Sequence, residues 1–588
     1  MFFNELARWF SRLEQESSRL KITEMLSDLF KELTAQEIQI VSYFCMGVLN
    51  PPYKMVQFNI AVKSALKIAA RLLDQSEYEI QQVVKDLADL GEVIKDGLWQ
   101  SAETLSIFDV YKRLQSIAEL SGEGSQEARV DGLVTLLREV DPLGAKYILR
   151  IVLGTLRLGF SDMTLVDALS WMLVGNKSCS KKIEAAYNRC ADIGHVAFVT
   201  KTEGIEGVEH LKVILGIPIR PAAAERLSSA AAIIEKIGPC IAEPKLDGFR
   251  LQVHIDNRQA DSKIHFFSRN LLNMSYMYPD LVSALQNIKA ETIIMEGEAI
   301  AFDINTGNFM PFQETVKRKR KHGIDNAIEE LPLQLFFFDI LYLDGQELFN
   351  ETLLERRAKL ARVLNASPVD KNIIRTTEEV MVETAPELEK YFLKQIEDGL
   401  EGVVVKRPDS PYQPGKRNFN WIKLKRLEEG HLLDTIDCVI LGYYYGRGKR
   451  SAFGIGAILI GLYNKTCDCF QTVAKIGTGF SDVEWRSLKK KCDDIKVTEK
   501  PKNVSCAKDL YPNVWVRPEI VIEVTADEIT RSPIHTVGLK KVSVDGVGEM
   551  SEGFALRFPR FLRYRDDKNA YEATSVEEFK DLFKQQRK

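Results

Sequence analysis

The spacing of apolar residues changes character twice along this chain, and those changes limit the architecture more than any other feature. From residue 1 to about 212, apolar residues recur every three to four positions, as in IQQVVKDLADLGEVIKDGL and QEARVDGLVTLLREVDPLGAKYILRIVLGTLRLG, which predicts helix after helix. At the N-terminus, Phe3, Leu6, Phe10 and Leu13 sit at helical spacing among charges, the pattern of an amphipathic core helix rather than a signal peptide. Pro218 and Pro221 break the helical pattern. From about Pro239 strand-like segments take over, among them CIAEPKLDGFRLQVHI, TIIMEGEAIAFD, LPLQLFFFDILYLDG and NWIKLKR, with helical stretches such as ETLLERRAKLARVLN between them. After about Glu429 the strands shorten and are separated by glycine turns, which suits a small β-barrel. Ser575 and Glu578 then form a capping box, and Val576, Phe579, Leu582 and Phe583 share one face of a packed terminal helix.

A chain of 588 residues is too long for one core. The expected organisation is three domains: an all-α domain over 1–212, an α+β domain over 213–429 and a β-barrel domain over 430–588. With 45% hydrophobic and 28% charged residues, extensive disorder is excluded. No apolar run approaches the roughly 20 residues of a membrane-spanning helix, so no membrane partner is expected. The nine cysteines contain no C-x-x-C pair, which argues against a zinc ribbon or a disulfide framework and for a reducing interior. Cys467 and Cys469 are read as neighbours on one face of a strand. A formal net charge of −4 gives no overall signal for nucleic acid, so such binding would rest on local basic surfaces.

The chemistry concentrates between Ile241 and Lys425. If Ile241 to Lys245 is extended, Glu243 and Lys245 point to one side, Asp247-Gly248 turns the chain, and Arg250, Gln252 and His254 share a face of the returning strand. A lysine ordinarily titrates near pKa ~10.4 and is not nucleophilic at neutral pH, but neighbouring cations or a metal lower that value. K-x-D-G alone reads more readily as a solvated hairpin lysine. The surroundings change the balance. Arg269 stands at a strand end, and Glu296 and Glu298 share a face amid apolar neighbours, where buried carboxylates need a hydroxyl, cation or metal. Phe338 lies opposite Asp339 and can stack on a base while its neighbour is anchored in the core. Glu401 shares a face with Val403 and Val405, with Lys406 on the other. Trp421, Lys423 and Lys425 share a face, and two lysines aligned this way call for an anion such as phosphate.

The ordered series KLDGFR (245–250), SRN (268–270), EGE (296–298), FFDILYLDG (337–345), EGVVVK (401–406) and WIKLK (421–425) resembles the motifs of the covalent nucleotidyltransferases. That group comprises ATP-dependent DNA ligases, RNA ligases and mRNA capping enzymes. LRFPRFLRYRDDK, with Arg565 and Lys568, is similar to the family's final motif. The helical region with GTLRLGF, the IPIRP entry, the GRGKR segment at 446–450 and the IGTGFSD turn at 476–482 look like the three-domain archaeal and eukaryotic DNA ligases.

The resemblance implies an all-α DNA-binding domain, an adenylation domain and a C-terminal OB-fold. It also implies roles. Lys245 takes AMP from ATP; Glu243 selects adenine and Phe338 stacks on it. Arg250 and Arg269 hold the sugar and α-phosphate, Glu298 the ribose, and Arg417 also contacts the nucleotide. Glu401, with Glu296 and Glu298, holds Mg²⁺ (or Mn²⁺). Lys423 and Lys425 neutralise the α-phosphate, and Arg565 and Lys568 orient the pyrophosphate. The implied partners are ATP and nicked duplex DNA, the implied setting intracellular (cytoplasm or nucleoid, a nucleus only in a eukaryote), and the implied state a monomer serving DNA replication, repair or recombination. GLWQSAETLSIFDVY lacks a clear clamp-binding peptide, so a sliding clamp is not expected to bind there.

Other readings are an RNA ligase or capping-type enzyme and, from a different class, a DNA-binding scaffold without catalysis. An NAD-dependent ligase is disfavoured, because the paired cysteines of its zinc module are absent. The run Lys317-Arg318-Lys319-Arg320-Lys321 reads equally as a track for DNA phosphates or as a solvated charge run. GNKSCSKKIEAAYNRC has no assigned function, and its two cysteines are read as packing residues.

Overall fold

The computed structural model describes residues 1–588 except 88, 100, 102–104, 259–262, 304–307, 311, 321–322, 426–434, 447–449, 451–452, 545–547 and 586–588. Most of GRGKR, Lys321 and part of GLWQSAETLSIFDVY therefore lie outside the described residues. The chain divides into two compact units, Met1–Arg426 and Leu427–Lys588.

The first part of the larger unit is helical, and among the described residues the buried members of its core run from Phe3 to Leu211. Helix α1 (Phe3–Gln15) buries Phe3, Leu6, Phe10 and Leu13 completely, the four positions marked by the sequence spacing. Helix α2 (Ser180–Arg189) belongs to the unassigned cysteine segment. Cys179 and Cys190 flank it as caps rather than lying on it, and Cys190 is fully buried. Among the described residues no helix is long and apolar enough to cross a membrane.

The rest of this unit carries two sheets. One has five strands in the order β1-β9-β8-β2-β7, where β1 is Ala223–Arg226, β2 Cys240–Pro244, β7 Val380–Val382, β8 Gly402–Lys406 and β9 Arg417–Lys425. Its inward residues Ala242, Val403, Val405, Ile422 and Leu424 form a core of their own. The other places β3 (Phe249–Asp256), β4 (Lys263–Ser268), β5 (Thr292–Ala301) and β6 (Leu333–Leu343) in the order β4-β3-β5-β6. Strand β3 runs antiparallel to β5, with Arg250 opposite Glu298 and Gln252 opposite Glu296. Helix α3 (Leu353–Ala366) packs on β6 and contributes Arg356.

In the smaller unit β10 (Ile436–Tyr444), β11 (Ala457–Asn464) and β12 (Cys469–Ile476) run antiparallel. Strand β13 (Val521–Thr525) pairs with both β10 and β14 (Arg560–Tyr564). Bulges in the β10–β11 and β11–β12 pairings add twist, as in a small curled barrel. The terminal helix α4 (Val576–Gln585) starts at the expected box: Ser575 N–H donates to Glu578, and Glu578 N–H to Ser575 Oγ.

One cysteine expectation is corrected here. Cys467 is not on a strand but in the turn between β11 and β12, where it forms a disulfide with Cys469. In a tight hairpin turn the C-x-C spacing brings the two side chains together instead of leaving them parallel on one strand. The other seven cysteines are free.

Candidate active site

Residues of both sheets in the larger unit enclose a cavity of about 590 Å³, within the range of a nucleotide-sized ligand site. Lys245 stands where β2 ends. Its N–H donates to the Gly402 carbonyl at 2.9 Å, which ties the residue to the start of β8. Gly402 has φ +143°, and a Cβ there would lie 2.3 Å from the Leu424 carbonyl oxygen. Only glycine fits that approach. The turn after Lys245 is equally close: a Cβ at Gly248 would lie 2.2 Å from the Ala299 oxygen of β5. Two glycines thus let Lys245 sit between the sheets.

The cavity brings together Glu243, Lys245, Arg250, Arg269, Glu298, Phe338, Lys423 and Lys425. Burial holds the Lys245 pKa below the ordinary lysine range, helped by Arg269 and opposed by Glu298 and Asp247. Lys423 is lowered too, by burial and by Arg417, Lys245, Arg269 and Arg226. Cations crowded this way create a positive potential suited to phosphate. Burial raises the Glu298 carboxyl to about 7, against the pull of Lys245 and Arg250.

At the cavity floor Glu243 is buried, and its Oε2 pairs with Lys406 at 2.7 Å. Its Oε1 is buried with no hydrogen-bond partner. An unsatisfied buried acceptor costs about 1–3 kcal/mol unless a ligand donor meets it. Phe338 meets Trp421 edge-on, with centroids 5.9 Å apart, and the Lys406 ammonium lies 4.7 Å from its ring centre. On the other face of β6, Asp339 and Arg356 form a fully buried pair at 2.7 Å, so Phe338 is fixed from behind.

Glu296 does not face this cavity. It is fully buried, accepts from Arg250 Nη2 at 2.6 Å and the Tyr412 hydroxyl at 2.7 Å, and also meets Gln252. The metal role expected of Glu296 draws no support from this placement: it is absent from the cavity lining, and its carboxylate holds Arg250. Arg250 Nη1 also donates to the Ala222 carbonyl, while its Nε is buried without a partner.

Glu401 departs from the expected alternation as well. Val403 and Val405 point into the core, yet the Glu401 carboxylate lies between Lys245 and Lys425 and pairs with both. Strand β8 starts only at Gly402, whose φ reverses the direction of the residue before it. Lys406 and Val404 take the cavity face instead. Arg417, exposed at the first position of β9, is opposite Ala223 of β1.

In the smaller unit Arg565 and Lys568 converge on Asp437, Arg565 through two bonds of 2.9 Å and Lys568 at 2.7 Å. Arg565 also pairs with Asp567.

Two cationic residues of the cavity were not singled out from sequence as site residues, Lys406 and Lys319. The alternation Val404–Lys406 could have placed the first. Nothing in the sequence separates the second from its charged neighbours.

Among the described residues no group of three or more His, Cys, Asp or Glu side chains could hold a metal ion. Glu401 and Glu298, both beside Lys245, form a smaller donor set. One or two carboxylates, with substrate phosphates and water completing the shell, is the usual mode for Mg²⁺. The residues present therefore fit a cation that arrives with a phosphate ligand.

Comparison with known proteins agrees along the whole chain. The family described as "DNA ligase N terminus" matches residues 2–170, "ATP dependent DNA ligase domain" residues 221–425, and "ATP dependent DNA ligase C terminal region" residues 451–568. A probable DNA ligase of Dictyoglomus thermophilum is 44% identical, over 100% of this chain and 98% of its own. A DNA ligase of Sulfolobus acidocaldarius is 37% identical, over 99% of this chain and 98% of its own. The solved structure of Pmar-Lig_PreS3 shares the fold, with a TM-score of 0.57 at 18% identity over 96% of this chain and 99% of that one. From its helical first region through its cation-ringed lysine to its strand-rich end, the chain belongs to the ATP-dependent DNA ligases.

Proposed function

We propose that Lys245 is the residue that carries AMP, and that the enzyme uses it to seal nicks in duplex DNA. The carrying observation is the convergence of Lys423, Lys425, Arg250 and Arg269 on the cavity that contains Lys245. The Lys245 amine, deprotonated to solvent, attacks the α-phosphorus of ATP. A P–N bond forms, the α–β P–O bond breaks, and pyrophosphate leaves. An oxygen of the 5′-phosphate at the nick then attacks the lysyl-AMP phosphorus, forming a P–O–P bond as the P–N bond breaks. Finally the 3′-hydroxyl attacks the 5′-phosphorus, loses its proton, and displaces AMP. All three steps are phosphoryl transfers, in which positioning and charge neutralisation contribute most.

Each side chain has a part in this reading. The vacant acceptor on Glu243 suits the exocyclic amine of adenine and opposes the carbonyl of guanine, which favours ATP over GTP and separates this site from a capping enzyme. Phe338 supplies the stacking face. Arg250, with its vacant Nε, and Arg269 hold the sugar and α-phosphate, and Glu298 the ribose. Lys423 and Lys425 neutralise the α-phosphate, and Arg417 approaches the nucleotide from the start of β9. Glu401 and Glu298 would hold a divalent cation, Mg²⁺ or Mn²⁺, which supplies countercharge to the phosphates when bound. Arg565 and Lys568 exchange Asp437 for the pyrophosphate oxygens.

Incubation with α-labelled ATP, peptide mapping, and a chase with nicked duplex DNA tests the reading. Label should appear on Lys245 and move to the DNA. Label on another lysine, or none transferred, overturns it.

A further inference from the structure

The charge run from Lys317 is neither a uniform track nor a solvated face. Arg318 is fully buried: it pairs with Asp280 at 2.6 Å and donates to the carbonyls of Leu331 and Met277. That anchor fixes the 3₁₀ turn Val316–Arg318. Lys317 pairs with Glu314 on the surface, and Arg320 donates to the Lys317 carbonyl and lies 3.8 Å from Glu330. Lys319 differs from all three. It lines the cavity, and its ammonium lies 4.7 Å from the centre of the Phe249 ring, beside the turn that follows Lys245. Among the described residues no carboxylate lies within ion-pair distance of it. Glu298 acts on it only through space, partly offsetting a burial that lowers its pKa.

A half-buried ammonium with an aromatic ring as its near neighbour gains little without an anion. The position supplies one. Lys423 and Lys425 reach the cavity from the five-stranded sheet, whereas Lys319 lies against Phe249, which belongs to the other sheet, as does Glu298, whose charge it feels. A phosphate at Lys245 would then meet cations from both sides. We propose that Lys319 is a further phosphate-binding lysine of this site, its ammonium contacting a non-bridging oxygen of the phosphoryl group under attack. The inference rests on the reading that Lys245 carries AMP. Two phosphates fit this chemistry, those of ATP and the 5′-phosphate of the nick.

The test compares the full-length wild type with Lys319→Met, which keeps the stem against Phe249, and with Lys319→Arg. One arm follows enzyme adenylation with labelled ATP; the other follows sealing of a nick that already carries AMP. A lost charge-assisted contact should slow at least one arm by about tenfold to a hundredfold, with Lys319→Arg recovering part of the rate. Loss in the first arm assigns the contact to ATP, and loss in the second to the DNA phosphate. A folded Lys319→Met enzyme equal to wild type in both arms overturns the proposal. Failure of the underlying reading looks different: the wild type itself would carry no label on Lys245.

Discussion

One oxygen of Glu243 faces Lys406 and the other faces nothing, and such half-satisfied groups are where single residues reveal a ligand. Replacing Glu243 by Gln keeps the shape but puts a donor or a neutral acceptor where adenine's amine would bind. The preference for ATP over GTP in enzyme adenylation should fall by about tenfold or more, the scale of one charged hydrogen bond; unchanged discrimination would remove Glu243 from base selection. His254 is the opposite case, a fully satisfied group. Its Nδ1 accepts from Gly216 N–H at 3.2 Å and its Nε2 donates to Gln252 Oε1 at 2.9 Å, while Gln252 also meets Glu296. Burial, with a smaller push from His265, lowers its pKa to about 3. The unfolded chain therefore takes up this proton near pH ~6.5 while the folded one does not, and stability present above that value is lost as pH falls towards about 3. Between about pH 7.5 and about pH 5.5 the wild type should lose about 1.4 kcal/mol more than His254→Gln in urea unfolding. Equal losses would show that His254 is not held neutral. At this scale the sequence spoke clearly about identities and faces, since Arg250, Gln252 and His254 do share one. It was silent on which partner each polar atom finds. Nothing local to Glu296 reveals its partner Tyr412, 116 residues away in sequence.

The elements were legible where periodicity was long and wrong where it was cut short. Helix α1 and the terminal capping box follow the spacing of their apolar residues. Glu401 and Cys467 each lie just outside a strand, where alternation no longer applies. Tertiary contact gives the unassigned segment around α2 a role that composition could not suggest. Its helix lies against the loop that leads into β9: Lys416 pairs with Glu184, Gly415 N–H donates to the Arg220 carbonyl, and Arg220 N–H to the Asn188 carbonyl. The ion pair is half-exposed and contributes little. Gly415 matters more. It has φ +68°, and a Cβ would lie 2.2 Å from Asn188 Oδ1. Gly415→Ala should destabilise the larger unit by about 1–3 kcal/mol and raise the KM for ATP more than it lowers kcat, because Arg417 follows two residues later. Adding Asn188→Ala should recover part of the loss. A KM unchanged in Gly415→Ala would mean that α2 does not position this loop.

Across the whole molecule the division of labour follows the three textures of the sequence: helices, a two-sheet site, and a curled strand-rich end. The cavity around Lys245 is formed within Met1–Arg426, whereas Arg565 and Lys568 belong to the smaller unit and rest on Asp437. Their role in our reading is confined to the step that releases pyrophosphate. The Arg565→Ala, Lys568→Ala double variant should therefore lose enzyme adenylation by about a hundredfold, the scale of two charge-assisted contacts. It should still seal a nick that already carries AMP at a rate near wild type. Equal damage to both reactions would place these residues elsewhere in the cycle. The central claim remains that AMP passes through Lys245, and Lys245→Ala tests it most directly. With ATP and nicked duplex DNA, the full-length variant should form no enzyme-AMP and seal at least about a thousandfold more slowly than wild type, the usual scale for loss of a covalent nucleophile. Sealing at the wild-type rate by that variant would contradict the account.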